Sequence, residues 1–245
     1  MNTVLKTILI SLCVFRIAAA AEQGSFEEQA GRYKWFTVPE AGLPNVLILG
    51  DSISIGYTLG VRENLAGAAN VYRPVVQSGA KKGTPVNCLD TAVAVRNLSQ
   101  WLATADRWDV IHCNWGLHDL RRSNPLNPEG SPDMPNNVEL ERYEQNLQEI
   151  ADILKQSGAK IIFALTTPVP DGAVPCRLPD DVARYNEVAI KVMTRNGIEI
   201  NDLYSIAKDR LAEIQMPENV HFTPAGNQFL AEAVAEKIRS ALNIN

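Results

Sequence analysis

Short apolar runs alternate along the chain with longer stretches that are apolar on one side only. Residues 45–50 (NVLILG) end in Gly and are followed by a helical stretch around residues 55–65, the way a buried parallel strand hands over to a helix. The alternation repeats. Residues 71–76 and 108–115 read as strands and residues 91–102 as the helix between them. Residues 140–155 place Leu140, Tyr143, Leu147, Ile150 and Leu154 three or four apart, one apolar helix face, and Gly158 stops it. Residues 161–166 predict a strand, 181–195 a helix closed by Asn196-Gly197, and 198–200 a short last strand. The final helix opens at Thr223-Pro224, a cap residue followed by Pro at the first helical position, and runs to about residue 242.

Five strands alternating with five helices predict one α/β domain, an open parallel sheet covered on both faces. The ligand crevice of such a sheet lies outside the carboxyl ends of its strands. Residues 50–54, those after Val76, residues 115–119 and residues 166–170 are therefore expected on one rim. Two long loops rich in Pro and Asp, residues 120–138 and 168–179, start there as well.

Composition narrows the class. The 245 residues are 46% hydrophobic and 21% charged, an ordinary globular balance. Net charge is −5, and the first 20 residues hold Lys6 and Arg16 but no acid, leaving −7 for the rest, so a nucleic-acid partner is not expected. No apolar run approaches the ~20 residues that span a bilayer, and no stable membrane insertion is expected.

The N-terminus reads as a secretory signal: Lys6, a mostly apolar stretch over residues 7–15, and Ala18-Ala19-Ala20 before a cut after Ala20 or Ala21. Arg16 interrupts this pattern, and a cytosolic amphipathic extension is the alternative. Cys13 follows Leu12, where a lipoprotein signal has a small residue. The expected organisation is a signal peptide at 1–20, an N-terminal extension at 21–44 and the domain at 45–245, in a secreted or periplasmic protein. Cys88, Cys113 and Cys176 then remain, enough for one internal disulfide at most, with no C-x-x-C pair for a metal.

Ser52 follows the first strand directly, in Gly50-Asp51-Ser52-Ile53. A serine at a strand-to-helix turn projects its hydroxyl into the crevice beside the free amides of a helix N-terminus, which suits a nucleophile whose oxyanion needs donors; the alternative is a plain helix cap. A serine nucleophile needs a base, and the chain has three histidines. His221 lies in the loop before the last helix, near the same rim. Glu218, three residues earlier, is placed to bond the far ring nitrogen and hold the tautomer.

These residues carry a family resemblance. The chain resembles the SGNH hydrolases, the GDSL-type esterase and acylhydrolase superfamily, from about residue 45 to its end. Ser52 in GDSI matches the first block, Gly116-Leu117-His118-Asp119 the third block G-x-N-D, and Glu218 to His221 the last block D-x-x-H. The likeness is greatest to secreted bacterial members whose third block reads N-W-G-L-H-D-L, as here from Asn114 to Leu120, among which carbohydrate deacetylation is suspected. The resemblance implies a flavodoxin-like three-layer αβα sandwich and a Ser52–His221 pair helped by the acid Glu218. It also implies an oxyanion hole of the Ser52 N–H, a second-block N–H and His118, and no cofactor.

Three departures stand out. His118 replaces the G-x-N-D asparagine, and Glu218, one methylene longer, replaces the D-x-x-H aspartate. The second-block glycine is not unique: Gly79 and Gly83 are candidates, and aligning residues 87–101 with the related N-C-G-x-T…W-L pattern puts Leu89 in its place.

Other candidates take ordinary readings. His112 is expected as a hydrogen-bonded core residue, Asp119 as an organiser of the loop after the third strand, and Asp51 as a backbone ligand. Trp101 and Trp115 are expected in the core, and Arg121-Arg122 as a solvated pair, with contact to an acidic sugar as the alternative. Gly50, Gly56 and Gly60 do not spell a dinucleotide motif, and the histidines lack zinc-site spacing. The expected function is hydrolysis of an O-acyl, chiefly O-acetyl, ester on a carbohydrate or other small substrate. A lipid acylhydrolase and a glycan-binding module that has lost efficient chemistry remain open.

Overall fold

The computed structural model describes residues 34–244. The expected signal segment, with Lys6, Cys13 and the cleavage site, lies outside the described residues. Five strands form one parallel sheet in the order β2-β1-β3-β4-β5: β1 (Asn45–Leu49), β2 (Asn70–Tyr72), β3 (Val110–Cys113), β4 (Lys160–Ala164) and β5 (Glu199–Asn201). Register is direct: Leu49 stands beside Cys113, and Cys113 beside Phe163. The central strands are apolar on both faces because helices cover both, and Val46 to Leu49 are fully buried.

The helices are α1 (Ser52–Asn64), α2 (Thr91–Leu102), α3 (Leu140–Lys155), α4 (Pro179–Arg195), α5 (Leu203–Lys208), α6 (Leu211–Ile214) and α7 (Pro224–Leu242). Helices α1 and α7 pack together on one face, while α2, α3 and α4 pack in a row on the other. Capping follows local chemistry. Asp90 accepts from Val93 N at 2.9 Å at the start of α2, and Thr223 accepts from Gly226 N at 3.0 Å at the start of α7, with Pro224 next in line.

The elements differ from the sequence expectation chiefly at β2, at the start of α1 and after β5. Strand β2 stops at Tyr72 because Arg73 turns inward and Pro74 offers no N–H; Val75 pairs instead with Pro85 in an antiparallel bridge. Helix α1 starts at Ser52 because Asp51 supplies its cap. Helices α5 and α6 were not anticipated, although Asp202 caps α5 by accepting from Ser205 N at 2.9 Å. The described residues before β1 dock on the edge of β2: Thr37 Oγ1 donates to Val71 O at 2.7 Å, and Arg62 reaches the carbonyl of Lys34 at 2.8 Å.

His112 is buried in β3 with Nε2 3.2 Å from Asn201 Nδ2 and the Tyr57 ring edge-on, and burial pulls its pKa down to about 3. It is a neutral core residue. Trp115 is fully buried, and Cys88, Cys113 and Cys176 are free thiols.

Candidate active site

The site is built where β1 and β3 end side by side. Gly50 has φ +137°, and a Cβ there would lie 2.1 Å from Asn114 Oδ1, so glycine alone lets the two strand ends approach this closely. Asp51 then caps α1, its Oδ1 accepting from Ile53 N at 2.9 Å. That leaves Ser52 as the first helical residue, with no carbonyl one turn back for its N–H.

Arg73 fixes this turn from below. It is buried, and its guanidinium donates to Gly50 O at 2.7 Å, Val86 O at 2.9 Å and Ser54 Oγ at 2.8 Å. One cation therefore ties the end of β2, the Ser52 turn and the segment leading to Leu89. Cys88 N, donating to Gly50 O at 3.0 Å, strengthens the same junction.

His221 hangs on a small hairpin between α6 and α7. Gln215 bridges to Phe222, and Met216 N donates to His221 O at 3.0 Å. The buried Gln215 side chain ties the hairpin to the loop after β4 by donating to Pro168 O at 2.9 Å. The ring is thereby brought to Ser52: His221 Nε2 lies 2.8 Å from Ser52 Oγ.

The far ring nitrogen meets Asn219, not Glu218. Asn219 Oδ1 accepts the His221 backbone N–H at 3.0 Å and lies 2.7 Å from His221 Nδ1. The backbone donor fixes which amide atom faces the ring, so Nδ1 must carry the proton and Nε2 is left as the acceptor for Ser52 Oγ–H. The expectation for Glu218 is corrected for a backbone reason. Glu218 has φ +53°, and that left-handed turn lays its exposed side chain along Gly172, whose Cβ position is 3.5 Å from Glu218 Cγ.

The candidate oxyanion donors separate. Leu89 has φ +52°, the conformation a glycine would take, but its N–H is accepted by Asn87 Oδ1 at 3.0 Å. Gly83 N–H is spent on Val76 O at 2.8 Å. Gly79 stands in open space on the loop after β2, where its carbonyl accepts from Lys82 N at 3.1 Å. His118 lies on the turn after β3. That turn is made possible by Gly116, with φ +150° and a Cβ position 2.1 Å from Thr166 Oγ1.

Burial pushes the His118 pKa below its ordinary 6.5; the charge of Asp51 opposes this, and Arg177 and Arg121 add to it. His118 is therefore neutral at neutral pH. Asp119 accepts from Thr91 N at 3.0 Å and from Thr91 Oγ1, tying the turn to α2, and burial raises its pKa to about 8.

Sequence reasoning missed Arg73, Asn219 and Arg177. Only Asn219 carried a local signal: an Asn two residues before another residue's N–H forms an Asx-turn.

The chain matches the model of the GDSL-like lipase/acylhydrolase family over residues 48–229. No curated protein matches it in sequence. Among solved structures it is similar to a lipase/acylhydrolase from Enterococcus faecalis, with TM-score 0.63 and 16% identity over 81% of this chain and 96% of that one. It is similar also to an acetyl xylan esterase, with TM-score 0.60 and 15% identity over 79% and 99% of the two chains. An acetylxylan esterase from Geobacillus stearothermophilus gives TM-score 0.60 and 18% identity over 80% and 94%. At these identities the neighbours establish the five-stranded αβα fold, and the family match spans most of the domain. The chain belongs to the GDSL-like lipase/acylhydrolase family and is a carboxylic-ester hydrolase.

Proposed function

We propose that this protein is an exported esterase that removes O-acetyl groups from a carbohydrate through an acyl-serine intermediate on Ser52. The observation that carries the reading is the 2.8 Å contact of Ser52 Oγ with His221 Nε2. Ser52 Oγ attacks the acyl carbon as His221 Nε2 takes its proton. The tetrahedral oxyanion is held by the Ser52 N–H and by His118, with Leu89 N–H joining if it swings from Asn87. Collapse breaks the bond to the alcohol, which receives the proton from His221. Water, deprotonated by the same imidazole, then adds to the acyl-serine and releases the carboxylic acid. Asn219 holds the ring in its productive tautomer throughout.

Acetyl esters of a carbohydrate are favoured by two observations. Two of the similar folds belong to acetyl xylan esterases. A groove of about 660 Å³ beside β2, lined by Trp35 and Tyr72, offers aromatic surface for sugar rings, with the buried Arg73 standing between it and the Ser52 turn. The test is acetate release from acetylated xylan and other acetylated glycans, beside turnover of short- and long-chain 4-nitrophenyl esters. Acetate release with preference for the short chain supports the reading. Preference for the long chain makes the protein a lipid acylhydrolase, and no turnover of any ester makes it a binding module.

A further inference from the structure

Two arginines beside the site carry guanidinium groups that are neither ion-paired nor fully hydrogen-bonded. Arg122 is fully employed: Nε donates to Asp181 Oδ2 at 2.8 Å and Nη1 to Met134 O at 2.6 Å, pinning the loop after β3 to α4. Its neighbour Arg121 does none of this. Its Nε is buried with no hydrogen-bond partner, and neither Arg121 nor Arg177 is ion-paired among the described residues.

Arg177 comes from the other long rim loop. It is 6% exposed and donates through Nε to Leu117 O at 2.8 Å and through Nη1 to Pro175 O at 2.9 Å, leaving Nη2 without a protein acceptor. Leu117 immediately precedes His118. Asn137 joins the two arms of the turn, with Nδ2 on His118 O at 3.2 Å and its backbone N–H on Arg121 O at 2.7 Å. The Arg177 guanidinium therefore lies against the peptide that leads into His118, the charges of Arg177 and Arg121 both reach His118, and the charge of Asp51, the residue before Ser52, reaches His118 and Arg177 alike.

Like charges in a partly dry site repel, and each retains unsatisfied donors. A guanidinium fork matches a carboxylate in geometry and charge, and binding one would offset the repulsion and engage the free Arg177 Nη2. We propose that Arg121 and Arg177 form a carboxylate-binding subsite beside Ser52, so that the preferred ester substrate is anionic. The inference rests on the esterase reading of Ser52 and names the substrate class for that site. The carboxylate has two possible sources: a uronate bearing the acetyl ester, or the free end of a dicarboxylic acyl chain.

The test pairs substrates that differ only in that charge. In the alcohol arm, an acetylated methyl galactoside is compared with the corresponding acetylated galacturonoside; in the acyl arm, 4-nitrophenyl acetate with mono-4-nitrophenyl succinate. The anionic member of one arm is expected to be preferred in kcat/KM by at least about tenfold, the size of one charge-assisted hydrogen bond. Arg121→Gln should erase most of that preference, and Arg121→Lys should restore part of it. Calorimetry on Ser52→Ala with galacturonate, succinate and neutral galactose reads the subsite without turnover: one anion should bind, and the added Arg121→Gln change should abolish binding. Equal turnover of charged and neutral esters, or no anion binding to Ser52→Ala, overturns the inference. Anion binding without hydrolysis of any ester overturns the esterase reading and upholds the subsite.

Discussion

Asn219 Oδ1 holds His221 at two points, lying 2.7 Å from Nδ1 and 3.0 Å from the backbone nitrogen of the same residue. A neutral amide therefore stands where serine hydrolases commonly place a carboxylate. It fixes the tautomer as a carboxylate does but gives less stabilisation to the imidazolium that forms during attack.

Asn219→Ala is expected to lower kcat by about 10- to 100-fold, below the ~10⁴ seen when a triad acid is changed so that the wrong tautomer results. Asn219→Asp, which keeps the acceptor, should retain most activity. Glu218→Gln should change kcat by less than about threefold, as exposed substitutions do. Steady-state kinetics on the three variants separates the roles, and a larger loss in Glu218→Gln than in Asn219→Ala would return the orienting role to the acid.

Arg73 makes the Ser52 turn dependent on a buried cation. Removing the guanidinium strands Gly50 O and Val86 O, each costing about 1–3 kcal/mol. Arg73→Met should lower unfolding stability in urea by roughly 3 kcal/mol or more and reduce kcat in the protein that remains folded. Arg73→Lys, a point charge without the fork, should recover only part of both. Unchanged stability and activity in Arg73→Met would show that the turn holds itself.

The parts of this fold legible in the sequence are those where one period dominates. Residues 91–102 and 140–155 read as helices with the bounds they have, because their apolar faces repeat cleanly and their neighbours are polar or glycine. The rim is legible because a parallel sheet leaves its strand ends in one place, which brings Ser52 and His221 together from the sequence alone. What stayed hidden depends on backbone turns rather than on period. Nothing in Glu218 announces φ +53°, and nothing in Arg73 announces that it turns under Gly50 rather than extending β2. Helix α6, Leu211–Ile214, is a single turn, too short to show a period at all.

His118 is held neutral by burial, opposed by Asp51 and reinforced by Arg177 and Arg121, and a neutral ring has one N–H to give. His118→Ala is expected to lower kcat by about 10²- to 10³-fold with KM little changed, the usual cost of one oxyanion donor. His118→Asn should recover much of that loss, since an amide N–H occupies the same place. An effect confined to KM, or equal behaviour of the Ala and Asn variants, would make His118 a substrate contact or a structural loop residue.

Asp119 ties stability to pH. Burial raises its pKa to about 8 in the folded protein, against about 3.9 in an unfolded chain. Between those values the folded state keeps a proton that the unfolded state releases. The stabilisation is complete below about pH 4 and is lost as pH rises through about 8. Asp119→Asn keeps an acceptor for Thr91 without the titration. From about pH 5 to about pH 9 the wild-type Tm should therefore fall by several degrees more than that of the variant. Parallel Tm profiles would show that Asp119 is ionised when folded.

Intact-mass and peptide analysis after exposure to a fluorophosphonate tests the Ser52–His221 pair most directly. Wild-type protein should gain one phosphonyl group, located on Ser52. Ser52→Ala should fold normally, take up none and lose essentially all esterase turnover, while His221→Ala should label far more slowly because nothing removes the Oγ proton. Labelling on another residue, or full turnover by Ser52→Ala, would contradict an acyl-serine mechanism at this site.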